Sequence, residues 1–297
     1  MSIDTLDVSR LIQEGAVPSD SEIIATHNNL VLSSQQEKTV SRIGKLSIIT
    51  QRADPGDICY SHQVAWTASD VAPVVRPIMQ HPKVSGDIVI STFPLRGKVD
   101  WSVQEPKTLL DMLVKFNAAL SYVSESLALR GFDISQYAQE RLDFVKKHDY
   151  RDNELTFEYV QNMLTQLQLY YPFDELTQDD PALVHGDLHA GNVVSGIDKG
   201  LEIIDLDSVA KGPRLYDLAS WRFRHEIGDA APIAGVIEEA KNMNAWDQET
   251  YNALLGWKAI SSMTHVLKYE QPGDIKQRVA SLAMSACRLG GGVLENA

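Results

Sequence analysis

Asp187, Asn192 and Asp205 are three oxygen-bearing side chains within nineteen residues of one another, in a setting that could serve phosphoryl transfer. They occur in Leu183-Val184-His185-Gly186-Asp187-Leu188-His189-Ala190-Gly191-Asn192-Val193-Val194 and in Leu201-Glu202-Ile203-Ile204-Asp205-Leu206-Asp207, where short apolar runs flank a polar loop. A hairpin built this way can aim carboxylates and an amide at one point. Phosphoryl transfer needs a carboxylate to orient and deprotonate the attacking hydroxyl, oxygen ligands for Mg²⁺, and groups that neutralise the phosphates. Magnesium prefers oxygen donors and keeps several waters, so one Asn and one or two Asp suffice when a nucleotide supplies further ligands. A rival chemistry is visible in the same stretch. His185, Asp187 and His189 alternate as in a hydrolase that uses zinc or a di-metal centre. The other six histidines, His27, His62, His81, His148, His225 and His265, are scattered and form no second cluster.

The two motifs, His185 to Asn192 and Ile204-Asp205-Leu206-Asp207, resemble those of the aminoglycoside phosphotransferase / choline kinase family, whose members have a protein-kinase-like fold. The resemblance implies an α+β fold with a small β-rich N-lobe and a larger helical C-lobe, a donor that is ATP or GTP, and Mg²⁺. It makes Asp187 the catalytic base and Asn192 and Asp205 the metal ligands. Tyr216-Asp217-Leu218-Ala219 resembles the family segment whose Asp braces the catalytic loop, so Asp217 and His185 are expected to support that loop. Kinases of this type carry a Lys or Arg on the third strand for the phosphates, paired with a helix Glu. Arg42 is the candidate here, with Lys38 and Lys45 as rivals, and Gln63 stands where the Glu is expected. An amide can hydrogen-bond a guanidinium but brings no charge. Pro94 and Leu95 resemble the hinge where adenine meets the backbone, although a strand ending at proline accounts for the same residues. A Gly-rich loop and a Walker A motif are both missing; His27-Asn28-Asn29 is the expected turn.

The elements that must position these residues fall into two regions, 1–95 and 96–297. The first reads as strands at Glu22 to Ser33, Thr39 to Ile49, Val74 to Met79 and Asp87 to Phe93, a sheet of about five strands interrupted by one helix at Ile58 to Ala68. Beyond Pro94-Leu95-Arg96-Gly97 the period turns helical. Leu109, Leu113, Phe116, Leu120, Val123 and Leu127 predict one long amphipathic helix from Pro106. Ser135 to His148 and Glu154 to Tyr171 predict two more. Ala182 to Val184 and Leu201 to Ile204 are expected to pair as a hairpin turning at Gly196 and Lys199-Gly200, and three or four helices follow Leu215.

Composition narrows the partners. No apolar run approaches the ~20 residues that span a membrane, the first ten residues lack a signal peptide's basic-then-apolar order, and Cys59 and Cys287 are isolated. A cytoplasmic protein is expected. The net charge of −13 disfavours nucleic acid and anionic membrane as partners and leaves a small-molecule acceptor. Residues 96–297 carry −10 of it, which is a solvated surface or an acidic cleft for an amine-bearing acceptor. Trp221, Glu226, Asp229 and Glu270 are the candidate acceptor contacts, while Trp246, Trp257 and Tyr269 are aromatic residues of the kind that mostly fill cores. An aminoglycoside, amino sugar or amino alcohol fits. Besides the hydrolase, a non-catalytic nucleotide-binding regulatory protein is a rival, favoured by Gln63. The absence of Asp-Phe-Gly and Ala-Pro-Glu signatures disfavours a protein kinase. Oligomeric state is left open.

Overall fold

Prolines and glycines set the boundaries of the first elements. The computed structural model describes residues 30–34, 38–43, 46–51, 55–85, 88–147, 157–196, 200–226, 234–243 and 246–268. These group into two compact units, one from the described parts of 1–99, 121–128 and 192–209, the other from those of 100–120, 129–191 and 210–297.

The first unit contains a five-stranded antiparallel sheet of β1 (Leu30–Ser34), β2 (Lys38–Ile43), β3 (Leu46–Gln51), β4 (Lys83–Ser85) and β5 (Ile88–Pro94), in the order β1-β2-β3-β5-β4. Helix α1 (Pro55–Ala68) follows β3, with Pro at its first position, where a missing N–H costs nothing. Ile58, His62, Ala65 and Ala68 recur at three- and four-residue spacing and, with Val64, are buried. The His62 ring meets Ser91 Oγ at 2.6 Å and Met79 O at 2.9 Å, tying α1 to β5.

Two predicted strands of this region are corrected. Thr39 to Ile49 is a pair of antiparallel strands, β2 and β3, with Ile43 opposite Leu46. Val74 to Met79 is no strand: Val74 alone bridges Ile203, because Pro73 and Pro77 bracket the segment and supply no N–H to a ladder. The short β4 takes the sheet edge instead. A second sheet of this unit joins β6 (Gly97–Lys98), β8 (Val193–Ser195) and β9 (Leu201–Ile203), with Val193 opposite Ile203.

The second unit is mainly helical: α2 (Pro106–Ala118), α4 (Ile134–Lys147), α5 (Phe157–Tyr170), α6 (Phe173–Asp179), α7 (Tyr216–Glu226), α8 (Ala234–Ala240) and α9 (Gln248–Lys268). The predicted long helix from Pro106 stops at Ala118; Ala119, with φ −71° and ψ −5°, tightens the turn, and a separate α3 (Leu120–Ser126) follows. Asp247 caps α9 by accepting from the N–H groups of Glu249 and Thr250. Leu109, Phe116, Leu142, Leu164, Leu183, Leu188, Tyr216, Leu254 and Trp257 are fully buried, each large apolar side chain contributing about 1.5–3 kcal/mol. Phe132, Phe173, Tyr216 and Trp257 form one aromatic cluster with centroids 4.6–6.2 Å apart.

The predicted hairpin of residues 182–184 with 201–204 is also corrected. Strand β7 (Pro181–Val184) pairs with β10 (Ala210–Pro213), and β9 pairs with β8. Ala210-Lys211-Gly212-Pro213 carries no β-branched signal, yet Gly212 suits it: a Cβ there would come within 2.7 Å of Val184 Cγ2 and 3.2 Å of Phe132 Cβ. Among the described residues no helix is long and apolar enough to cross a membrane.

Candidate active site

In the second unit, β7 delivers the loop that begins at His185. The Asp217 carboxylate, at the start of α7, accepts from the N–H of His185 at 2.8 Å and of Gly186 at 3.1 Å. Those two peptide groups follow the strand and have no ladder partner, so a buried acceptor satisfies them. Gly186 has φ +82°, a conformation that favours glycine. Burial pushes the Asp217 carboxyl up, against the charge of His185 and these two hydrogen bonds. His185 is fully buried, and its Nδ1 accepts from the N–H of Asp187 at 3.3 Å. One turn further along α7, Ser220 Oγ donates to Leu188 O at 3.4 Å.

Asp187 itself is partly exposed and meets two cations from distant helices. Arg224 Nη2, on α7, lies 3.0 Å from Oδ1 and 3.4 Å from Oδ2, and Lys258 Nζ, on α9, lies 3.5 Å from Oδ1. Burial alone would push this carboxyl up, but Lys258, then Arg224, then His189 outweigh it and hold the group well below the usual carboxylate range. Lys258 is almost buried, and desolvation draws its ammonium down while Asp187 opposes that. The sequence reading missed both cations. Lys258 nevertheless had a signal, a lone charge inside the apolar run Leu254-Leu255-Gly256-Trp257-Lys258-Ala259-Ile260. Arg224 lies two helical turns beyond Asp217, on the same face of α7.

In the first unit, the β8–β9 hairpin sets Asn192 beside residue 204. Asn192 ends a single 3₁₀ turn and its carbonyl accepts from the N–H of Ile204 at 3.0 Å. Asp205 follows with φ +62° and ψ +62°, the one left-handed non-glycine residue among those described, and its side chain is exposed. A left-handed Asp is uncommon and costs strain, which marks a position worth functional attention. An amide and a carboxylate, both hard oxygen donors, suit Mg²⁺ rather than a soft metal. Among the described residues no three His, Cys, Asp or Glu side chains are grouped to hold a metal unaided. The His185/Asp187/His189 alternation forms no such group either; the two Nδ1 atoms accept local N–H groups, that of Asp187 and that of Gly191.

The remaining sequence candidates scatter. Arg42 lies on β2 with Lys38, in register with Leu30 and Ser47, while β3, the strand leading into α1, has neither Lys nor Arg. Lys45 and the His27-Asn28-Asn29 turn lie outside the described residues. Gln63 is exposed on α1, where the inward polar residue is His62. Pro94 closes β5 opposite Leu46, and Leu95 follows it as irregular chain. Trp221 is buried against Trp101, ring centroids 5.3 Å apart. Trp257 is core, its Nε1 donating to Tyr171 O at 2.9 Å. Glu226 ends α7, and Asp229, Tyr269 and Glu270 lie outside the described residues.

The phosphotransferase enzyme family model matches residues 65–251. Among solved structures, a choline/ethanolamine kinase family protein from Mesorhizobium loti is 11% identical with a TM-score of 0.65, covering 95% of this chain and 93% of its own. A choline kinase from Streptococcus pneumoniae is 12% identical with a TM-score of 0.62, over 94% and 98% of the two chains. A thermostable mutant of an aminoglycoside phosphotransferase, in a ternary complex with AMP-PNP and hygromycin B, is 15% identical with a TM-score of 0.64, over 96% and 98%. No curated protein matches the chain. At these identities the likeness shows the fold, and the expected α+β, protein-kinase-like fold is the one found.

Proposed function

This chain belongs to the phosphotransferase enzyme family, and from that premise we propose that it transfers the γ-phosphoryl group of ATP or GTP to a hydroxyl of a small molecule. The observation that carries the reading is Asp187: a carboxylate kept ionised by Lys258 and Arg224, on a loop whose backbone is fixed by the buried Asp217. A base must be unprotonated before it can accept a proton, and it must be held still to orient a hydroxyl. Asp187 orients the acceptor hydroxyl and takes its proton as the oxygen attacks phosphorus. The bond from phosphorus to the bridging oxygen breaks, and the nucleoside diphosphate leaves with its electron pair. Asn192 and Asp205 would hold the Mg²⁺ of the nucleotide, which when bound neutralises phosphate charge.

On this reading residues 1–95 form the nucleotide-binding lobe, with Arg42, Gln63, Pro94 and Leu95 as its candidate contacts, and residues 96–297 carry the catalytic loop and acceptor site. His185 and Asp217 are supports rather than reactants. The choline kinases and aminoglycoside phosphotransferases among the neighbours act on hydroxyl compounds that also bear cationic nitrogen, and the acid excess of residues 96–297 supports an amine on this acceptor too. Glu226, Asp229 and Glu270, with Trp221, are the residues assigned to it.

The test is consumption of Mg-ATP and Mg-GTP across aminoglycosides, amino alcohols, sugars and hydroxy amino acids, with Asp187→Asn as control. Acceptor-dependent turnover that the variant loses is expected. Nucleotide binding with no turnover on any acceptor would instead support the non-catalytic reading.

A further inference from the structure

Lys258 brings more N–H donors to Asp187 than its single contact with that carboxylate uses. Lys258 is almost buried, with a side-chain exposure of 10%, yet Asp187 Oδ1 at 3.5 Å is its only hydrogen-bond acceptor among the described residues. An ammonium has three N–H donors, and a charge-assisted bond is ordinarily about 2.7–2.9 Å long. Lys258 is therefore a desolvated cation with a long bond and two donors to spare, a state that a second anion would relieve. Arg224 approaches both oxygens of the same carboxylate.

Among the described residues no second carboxylate is hydrogen-bonded to Lys258. Asp217, which is buried, is engaged by the N–H groups of His185 and Gly186. Arg141 of α4 donates to Ser261 O and Oγ, both at 3.0 Å, and lies with Arg224 near Tyr216. Arg224 and Lys258 thus both meet Asp187, while Asp217 is held by backbone N–H groups. A further donor is unused on the same face of α7. Trp221, three residues before Arg224, is buried and its Nε1–H meets no acceptor among the described residues.

We propose that the acceptor carries an anionic group, a carboxylate or a phosphate, beside its reacting hydroxyl, and that Lys258 with Arg224 holds that group next to Asp187. The proposal rests on the phosphotransferase reading and names the acceptor class within it. An amine elsewhere on the molecule is compatible, so that a hydroxy amino acid satisfies both charge patterns. Binding of the anion also draws the two cations partly off Asp187, which raises the proton affinity of the base at the moment the hydroxyl arrives.

The experiment compares acceptors that differ chiefly by the anion: serine against ethanolamine, glycerate and glycerol 3-phosphate against glycerol, glucose 6-phosphate against glucose, each with Mg-ATP. The wild-type protein is expected to favour the anionic member by about tenfold or more in kcat/KM, since a site built for a charged group rejects the analogue that lacks it. Lys258→Met and Arg224→Gln should reduce that preference toward one, mainly by raising KM for the anionic member. Arg224→Lys, which keeps the charge, should retain part of it, and the wild-type comparison stands even if Lys258→Met fails to fold. Turnover that favours ethanolamine, glycerol or glucose overturns the anionic acceptor and leaves the phosphotransferase intact. So does a uniform fall in kcat across both members of each pair, which would assign the cations to the transferring phosphoryl group. Turnover on none of the pairs, together with no Mg-ATP binding, overturns both readings.

Discussion

Asp187 and Asp205 are both single carboxylates in neighbouring sequence motifs, but they are held by different means. Asp187 sits where side chains from α7 and α9, 37 and 71 residues later in the chain, bring two cations to its oxygens. Asp205 is exposed, and its main chain is set locally by a hairpin, the bond from Ile204 N–H to Asn192 O, and its own left-handed conformation. The first arrangement sets the charge state of the proposed base through tertiary packing. The second sets the direction of the proposed metal ligand through main-chain geometry. The difference teaches that a base needs its proton affinity tuned, whereas a metal ligand needs only to be aimed.

The largest effect expected is at the tuned carboxylate. Asp187→Asn should lower kcat by about 10²–10⁴-fold while nucleotide affinity stays near wild type, because the amide can accept a hydrogen bond from the hydroxyl but not its proton. Single-turnover kinetics beside calorimetry with Mg-ATP separates the two quantities. Wild-type turnover in this variant would remove Asp187 from the reaction and collapse the contrast with Asp205.

The aimed carboxylate should respond in the other quantity. Asp205→Ala should weaken Mg-nucleotide binding by about 10–100-fold, with a loss of rate as well, and Asn192→Ala should do less because an amide brings no charge to the metal. Calorimetry with and without Mg²⁺ checks this. Equal nucleotide affinity in both variants and wild type would leave the hairpin without its proposed role.

Tuning also has a pH signature. The carboxyl of Asp187 is held below its ordinary value of ~3.9, so the base stays ionised as pH falls through the range in which an untuned Asp would protonate. Any contribution this depression makes to stability is present above that ordinary value and is lost as pH falls toward the depressed one. The acid limb of kcat/KM due to Asp187 should accordingly lie below about pH 4 in the wild type, and Arg224→Gln should raise it by about one unit. A limb that does not move with either cation would show that Lys258 and Arg224 leave the base untuned.

The same contrast explains what the sequence made legible. Asp187, Asn192, Asp205 and Asp217 stand in contiguous motifs whose spacing is local, and the α+β division followed from the change of period near Pro94. Helix α1 was expected from Ile58 to Ala68 and begins one turn earlier, at Pro55. Arg224 and Lys258 were not legible, since their meeting with Asp187 depends on how α7 and α9 pack, which no window of sequence contains. Strand pairing failed for the same reason: β7 had a plausible partner in residues 201–204, but Val193 to Ser195 was the nearer one for β9, and β10 is a strand by virtue of Gly212 fitting against Val184. The single helix expected from Pro106 ran through Ala119 because nothing in its apolar spacing marks the turn there.

The smallest effect is expected at Trp221, and it tests whether the packed side of the contrast is finished or awaits a ligand. Its Nε1–H is buried without an acceptor among the described residues, and an unmade hydrogen bond of this kind costs about 1–3 kcal/mol. Trp221→Phe removes the donor and keeps an aromatic ring against Trp101, but it also deletes volume, which costs stability in a filled core. The two terms oppose each other, so thermal melting of the variant without ligands should fall within about 1 kcal/mol of wild type. Saturating acceptor separates the meanings. If the N–H is satisfied only when the acceptor binds, the stabilisation that the acceptor confers should be smaller in Trp221→Phe than in wild type, because linkage reports the lost affinity directly. Equal stabilisation of the two proteins would mean that Trp221 is core alone, with an orphan donor carried at a cost that packing against Trp101 offsets.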